Sequence, residues 1–335
     1  MTTSIAINGF GRIGRCSLRA LFEMGRDDLE IVAINDLVTP DHMAHLLKYD
    51  SVHGTFQEDV SVEGDTLIVG GRKIRLTANP KPEDLPWSDV DVVLECTGRF
   101  TSKDTAAKHL DNGSKRVLVS APASGADRTV VFGVNQDELT GADVIVSNAS
   151  CTTNCLAPVA KVLDETFGIE TGYMTTIHAY TGDQPTHDRD HKDLYRARAA
   201  ALSMVPTSTG AARAISLVLP KLKGKLEGSA IRVPTANVSM VDLTVMTSKA
   251  ADVDAVNAAM KEASSGALKG VLGYETAPLV SSDYNHNPHS SIFAPALTSA
   301  TDGGMVRVVS WYDNEWGFSC RMLDVAAHMG GLLEG

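Results

Sequence analysis

Six residues, Gly9-Phe10-Gly11-Arg12-Ile13-Gly14, constrain this chain more than any other feature. They stand between an apolar run, SIAIN (4–8), and a stretch that places Ile13, Cys16, Ala20 and Met24 at three- and four-residue steps, with Gly25 near its end. The pattern predicts a strand, a tight loop and a helix in direct succession. In such a loop the first glycine makes the turn, the second lets a pyrophosphate approach the backbone, and the third lets helix and strand pack closely. The helix N-terminus then offers unpaired N–H groups to the phosphates. The G-x-G-x-x-G spacing carries little weight alone, but this context suits a dinucleotide. Asp36, which ends the next apolar run IVAIN (31–35), stands 22 residues after Gly14. It reads either as an acceptor for the adenosine ribose hydroxyls or as a helix cap before Thr39-Pro40. As an acceptor it would repel a 2′-phosphate, which favours NAD over NADP.

Short β-branched runs alternate with helical patterns through the first half. PDHMAHLLKYD (40–50) reads as a helix with Met43, Leu46 and Leu47 on one face. DVVLEC (91–96), RVLVS (116–120) and DVIVS (143–147) read as further buried strands, which together imply a mostly parallel sheet covered on both faces. DVSVEGDTLIVGGRKIRL (59–76) differs: it alternates, with Gly64-Asp65 and Gly70-Gly71 as hairpin turns. The second half has longer strand patterns, TGYMTTIH (171–178), SAIRVP (229–234), SMVDLTVMTS (239–248) and MVRVVSWY (305–312). They follow a helix expected over about 152–167. A boundary near 148–151 therefore separates a doubly wound first domain (1–150) from an α+β second one (151–315). A C-terminal helix over 316–335 is expected to pack back on the first.

The chain has 335 residues, 43% hydrophobic and 21% charged, with 30 Lys+Arg against 41 Asp+Glu and a net charge of -11. That balance argues against general nucleic-acid or anionic-membrane binding, while leaving room for a local basic pocket. No apolar run reads as a transmembrane helix, and the start MTTSIAING lacks a signal pattern. Five cysteines are too few for a disulfide scaffold and point to a reducing, cytoplasmic setting. Cys16, Cys96 and Cys320 fit core positions. Cys151 and Cys155 stand in SNASCTTNCLAP, a spacing poor for zinc. Cys151 would sit at a helix N-terminus, where a thiolate is stabilised, and reads equally as a nucleophile or as an inert thiol. His178, at a strand end, reads as a structural residue or as a base facing a cleft. His187 and His191 have metal-compatible spacing but lie in a charged, Pro- and Gly-flanked segment that reads as a solvated loop. No metal site is expected.

NGFGRIGR (8–15), SNASCTTNCLAP (147–158), HAYTGDQ (178–184), HKDLYRARAAA (191–201), PTSTGAA (206–212), RVPTANVSMVDL (232–243) and WYDNEWGFS (311–319) resemble, in order and over nearly the whole chain, the phosphorylating glyceraldehyde-3-phosphate dehydrogenase family. The resemblance implies a Rossmann-type NAD domain plus a catalytic α+β domain with a mostly antiparallel sheet. It implies Cys151 as nucleophile and His178 as general base. Gly9, Gly11, Arg12, Ile13, Gly14, Asp36, Ser120 and Asn314 match cofactor positions, with Asn314 on the nicotinamide carboxamide. Ser150, Thr152, Thr181, Arg196, Thr209, Gly210 and Arg232 match positions that bind the substrate and inorganic phosphate. A homotetramer is implied, with residues ~180–202 forming a loop near a neighbouring subunit's cofactor.

Three positions depart from the family pattern. Arg189-Asp190 replace a Leu-Pro pair of NAD-preferring relatives. Arg189 then either reaches a 2′-phosphate and permits NADP use or pairs with Asp188 and Asp190. Asn79, Pro80 and Lys81 stand where many relatives have a basic residue, so no cofactor contact is assigned there. Phe318 replaces a common tyrosine. MAHLLKYDSVHG (43–54) is similar to erythrose-4-phosphate dehydrogenases, but HAYTGDQ and PTSTGAA keep the triose-phosphate pattern. A non-phosphorylating aldehyde dehydrogenase fits two anion sites less well. A catalytically idle binding or regulatory protein would need none of Cys151, His178 and Arg232.

Overall fold

The computed structural model describes residues 2–333 in two compact units. The first comprises the chain up to Ser150 and from Ser319 on, the second Cys151–Phe318. In the first, a nine-stranded sheet runs in the order 128–129, 145–147, 116–119, 92–95, 3–8, 29–35, 72–77, 66–69, 60–63. The strands from 128–129 to 72–77 pair in parallel, and the last two join as antiparallel hairpins. Gly64, Gly70 and Gly71 supply the positive φ these turns require. Val92–Glu95 and Arg116–Val119 are buried along their whole length, as parallel strands covered on both faces must be. Val93, Val117, Val119 and Ile145 pack with Trp87, Leu85 and Val90 in one core cluster.

Thr3–Asn8 has Leu29–Asn35 on one side and Val92–Glu95 on the other. The chain therefore leaves this strand in opposite directions, which opens a crevice at the strands' C-terminal ends. The helix Arg12–Glu23 follows directly and buries Cys16, Leu18, Ala20 and Leu21. Met24, expected on that face, is 40% exposed. It is the helix's C-cap, just before left-handed Gly25, and has already left the apolar stripe. Leu46 is likewise exposed, because in the helix Pro40–Lys48 only Met43 and Leu47, one turn apart, face inward. At the C-terminus, Asp324 pairs with Arg26 at 2.6 Å and the Leu332 carbonyl accepts from buried Arg116 at 3.1 Å. Gly330 lies so close to Thr3 that any Cβ there would collide with it.

The second unit is built on an eight-stranded sheet whose main path runs 205–208, 226–233, 169–179, 239–247, 305–312, 291–293, 272–274. Most of its pairings are antiparallel, but Ile169–Ala179 and Leu226–Val233 run parallel, as do 272–274 and 291–293. Ser239–Thr247 alternates strictly between buried and half-buried residues, so one face is covered. The helix Cys151–Phe167 packs within this unit and buries Leu156, Val159, Ala160 and Leu163. No helix among the described residues is long and apolar enough to cross a membrane.

Candidate active site

Cys151 is the first residue of its helix, so its thiol sits where helix N–H groups lack intrahelical partners. Its Sγ lies 3.5 Å from Nε2 of His178, near the end of the strand Ile169–Ala179. The other ring nitrogen, Nδ1, is 2.6 Å from the Ala179 carbonyl. A carbonyl only accepts, so Nδ1 carries the hydrogen and Nε2 faces the thiol as an acceptor. His178 is 3% exposed. Burial, reinforced by the nearby Arg232 charge, lowers its pKa to about 3. Burial also pushes the Cys151 thiol up, against the pull of Arg232 and a hydrogen bond from Thr152. Both directions have one cause: burial penalises each charge taken singly. Passing the thiol proton to Nε2 creates both charges together, each beside its opposite.

Keeping this ring neutral has a consequence for folding. His178 titrates at about 3 when folded and near 6.5 when unfolded, so the unfolded chain binds more protons in that window. The stability it contributes is complete above about pH 6.5 and is lost as pH falls towards 3, with a slope of up to about 1.4 kcal/mol per pH unit. Denaturant unfolding from pH 7 to 4 should show a smaller acid loss in His178→Asn than in the parent. Equal losses would contradict the assigned state.

Tyr312 was not singled out in the sequence. Its buried hydroxyl is 2.8 Å from Thr152 Oγ1 and 2.9 Å from Thr176 Oγ1, and its ring meets His178 edge-on at 5.9 Å. Cys155, one turn after Cys151, is fully buried, and burial raises its pKa to about 12. Its sulfur faces Ser291 Oγ at 3.5 Å.

Register places the cation. Arg232 is the direct parallel partner of His178 across the strand pair. Its Nη1 donates to Thr181 Oγ1 at 2.8 Å and to Gln184 Oε1 at 3.3 Å, while its buried Nε has no acceptor among the described residues. Thr181 donates to Asp183, which also receives Arg196 at 3.0 Å. Burial opposes ionisation of Asp183, but Thr181, Arg232 and Arg196 outweigh it and lower its pKa. Arg196 also donates to Thr207 Oγ1. Its charge is thus partly neutralised, and Arg232 is the less compensated of the two. Thr209 and Gly210 stand at the start of the helix Ala211–Val218, with the Thr209 hydroxyl accepting from the Ala211 N–H. Asn314 Oδ1 accepts from Ser239 Oγ at 2.8 Å, and that oxygen accepts from the Ala179 N–H. Ser150, half-buried, ends the N-terminal segment of the first unit, directly before Cys151.

Arg198 pairs with Asp188, and Arg213 with Glu227, at exposed positions. Asp188 is therefore engaged elsewhere, and exposed Arg189 makes no ion pair among the described residues. No helix spans 187–191, so the spacing of His187 and His191 does not stack them.

In the first unit a cavity of about 310 Å³ opens at the C-terminal ends of the strands. Asn8, Gly9, Gly11, Asn35, Asp36, Asn79, Pro80 and Thr97 are among its walls. Its glycines meet the demands of a dinucleotide. A Cβ on Gly9 would come within 2.7 Å of the Thr97 nitrogen and one on Gly14 within 2.4 Å of the Gly9 carbonyl, while Gly11 faces open space. Gly11 caps the helix without a side-chain bond, and no acid stands in the first turn. Asp36 is not a helix cap: it accepts from the Phe10 N–H at 2.6 Å and the Val38 N–H at 3.3 Å, while Thr39 precedes the next helix. The Arg12 side chain pairs with Asp50, and Arg12 is the first residue of the helix after Gly11. Half-buried Ile13 is next in the helix, and Ser120 follows the strand Arg116–Val119. The sequence assigned no contact to Asn79 and Pro80, yet both line the cavity. The Asn79 N–H donates to Asn35 Oδ1 at 2.9 Å, across 44 residues of sequence, a contact that no local pattern signals.

Two family models match. One, described as the NAD binding domain of glyceraldehyde 3-phosphate dehydrogenase, covers residues 3–103, and its C-terminal domain covers 150–314. The glyceraldehyde-3-phosphate dehydrogenase of Cereibacter sphaeroides is 62% identical over 333 residues, 99% of this chain and 100% of that protein. Those of Xanthobacter flavus and Geobacillus stearothermophilus are 60% and 55% identical, covering 99% and 98% of this chain and 100% and 98% of their own. With Cys151 at a helix start beside His178, Arg232 in register with that histidine on the neighbouring strand, and similarity from end to end, the chain belongs to the glyceraldehyde-3-phosphate dehydrogenase family.

Proposed function

We propose that this chain oxidises D-glyceraldehyde 3-phosphate with NAD and inorganic phosphate, giving 1,3-bisphosphoglycerate through a thioester on Cys151. The observation that carries this reading is the 3.5 Å approach of Cys151 Sγ to an accepting His178 Nε2, with Arg232 in register beside it. Gly9, Gly11 and Gly14, the backbone of Arg12 and Ile13, Asp36 and Ser120 hold the cofactor, with Asn314 at its carboxamide. When bound, NAD supplies the hydride acceptor.

Cys151 Sγ attacks the aldehyde carbon and yields a hemithioacetal. His178 Nε2 takes the hydroxyl proton as the C–H bond breaks, leaving a thioester. Phosphate then attacks the acyl carbon, the C–S bond breaks, and the sulfur leaves as thiolate. The Cys151 N–H, with the protonated histidine, stabilises the oxyanions. Arg232, Arg196, Thr181, Thr209, Gly210, Ser150 and Thr152 hold the two phosphate groups through fixed forks, hydroxyls and backbone donors.

Initial rates with and without inorganic phosphate test the reading. Turnover that needs phosphate supports it; turnover that does not would mean that water resolves the thioester. Use of NADP beside NAD is proposed from Arg189, whose exposed guanidinium lacks an ion-pair partner among the described residues. Arg189→Leu should lower kcat/KM with NADP by about tenfold and leave NAD unchanged; an unaltered cofactor ratio would sink the idea. A cytoplasmic homotetramer is proposed as well. Five free thiols suit a reducing compartment. Leu194, Leu202 and Met204, each more than 70% exposed, suit a covered surface.

A further inference from the structure

Beneath the nucleotide cavity lies a belt of side-chain hydrogen bonds that the sequence did not announce. It crosses the ends of four neighbouring strands. At one end Glu95, 1% exposed, accepts from four donors. Oε1 takes the Thr97 N–H at 2.8 Å and the Thr97 hydroxyl; Oε2 takes Asn8 Nδ2 at 2.6 Å and His109 Nε2 at 2.9 Å. Asn8 Oδ1 then accepts from Asn35 Nδ2 at 2.8 Å. Asn35 Oδ1 accepts from the Asn79 N–H and the Thr77 hydroxyl, both at 2.9 Å, and Asn35 Nδ2 also donates to the Asn79 carbonyl. His109 is fully buried and stacked on Trp87 at 5.8 Å, 4° from parallel. Glu95 can only accept, so His109 Nε2 carries the hydrogen it receives, while Nδ1 has no partner among the described residues.

The amide relay from Thr77 and the Asn79 N–H through Asn35 and Asn8 to Glu95 donates one way throughout, with only the Asn35 bond to the Asn79 carbonyl running back, and one group sets that direction. A carboxylate only accepts, so Asn8 must turn its NH2 towards Glu95 and its oxygen towards Asn35. Asn35 must then turn its NH2 to Asn8 and its oxygen to Asn79 and Thr77. Asn8, Asn35, Asn79 and Thr97 are all walls of the cavity. We propose that Glu95, backed by His109, is a positioning residue for the dinucleotide: it fixes the orientation of the amides and the Thr97 backbone that meet the ligand's nucleoside end. This rests on the cofactor reading above.

Glu95→Gln keeps the shape but places an NH2 against donors. Either Thr97 loses its acceptor, or Asn8 must flip and confront Asn35 with like groups. Calorimetry on the full chain should show Kd for NAD and for ADP-ribose, which lacks the nicotinamide, both rising about tenfold. KM for NAD should follow, while kcat at saturating NAD changes by no more than about twofold. Cofactor-free alkylation of Cys151 should keep its rate. His109→Phe retains the stack without the donor and should weaken ADP-ribose binding. His109→Gln restores a donor and should recover most of it. ADP-ribose bound by Glu95→Gln as tightly as by the parent overturns the proposal, as does equal weakening in both His109 variants. If Glu95→Gln does not fold, the His109 pair decides. If His109→Phe also fails to fold, the belt is a folding element and the proposal is rejected. Failure of the parent chain to bind either ligand would instead overturn the cofactor reading.

Discussion

His178→Asn turns over glyceraldehyde 3-phosphate about 10²–10⁴ times more slowly than the parent chain, while Cys151 is still alkylated. The expectation follows from what each group contributes. Burial pushes the Cys151 thiol up, so alkylation draws on a small ionised fraction and slows without the Nε2 acceptor, but the sulfur remains and still reacts. Positioned proton removal during oxidation is the larger contribution. Nε2 is the free acceptor of a ring whose other nitrogen is fixed on the Ala179 carbonyl, so it is oriented before substrate arrives. Asparagine can still bond that carbonyl but cannot take up a proton. Stopped-flow oxidation beside iodoacetamide labelling separates the two roles. Turnover within about threefold of the parent would remove His178 as the base.

Arg232→Ala lowers kcat/KM by about 100-fold, the loss of a charged donor to a phosphate group. It also moves the acid limb of the rate profile to higher pH. Arg232 is the main charge that holds the His178 pKa down, after burial itself. Without it the ring protonates more readily, and the base is lost at a pH where the parent still works. Arg232→Lys should restore the pH profile better than the affinity, because an ammonium keeps the charge but not the fork. A variant with altered melting temperature but unaltered kcat/KM and pH profile would leave Arg232 a structural residue. Glu95 is different in kind: its variants should alter cofactor affinity and spare thiol chemistry.

Local chemistry made the first half of the site legible. The glycine loop, the strand before it, the helix after it and Asp36 lie within 36 residues, and their roles follow from spacing and backbone freedom. Cys151 could be placed at a helix start for the same reason. A sequence pattern reports which way a residue faces along its own element, not what stands opposite. The 3.5 Å approach of Cys151 to His178 arises because one element begins where another ends. Asp36 also had a reading as a helix cap, which its bonds to the Phe10 and Val38 N–H groups replace.

The chain by itself determined a nucleotide loop, two differently built halves and a short roster of reactive side chains, because these depend on periodicity and on residue chemistry. Only the tertiary structure decided which of them meet. The parallel register of 169–179 with 226–233 sets Arg232 beside His178, and a one-residue slip would turn it to the other face. The same holds for Tyr312 against Thr152 and Thr176, and for Glu95 receiving Asn8 and His109 from separate elements. These groups are buried, so each must find its partners inside the fold. Those partners come from strands and helices far apart in sequence, and only sheet order, register and helix packing bring them together.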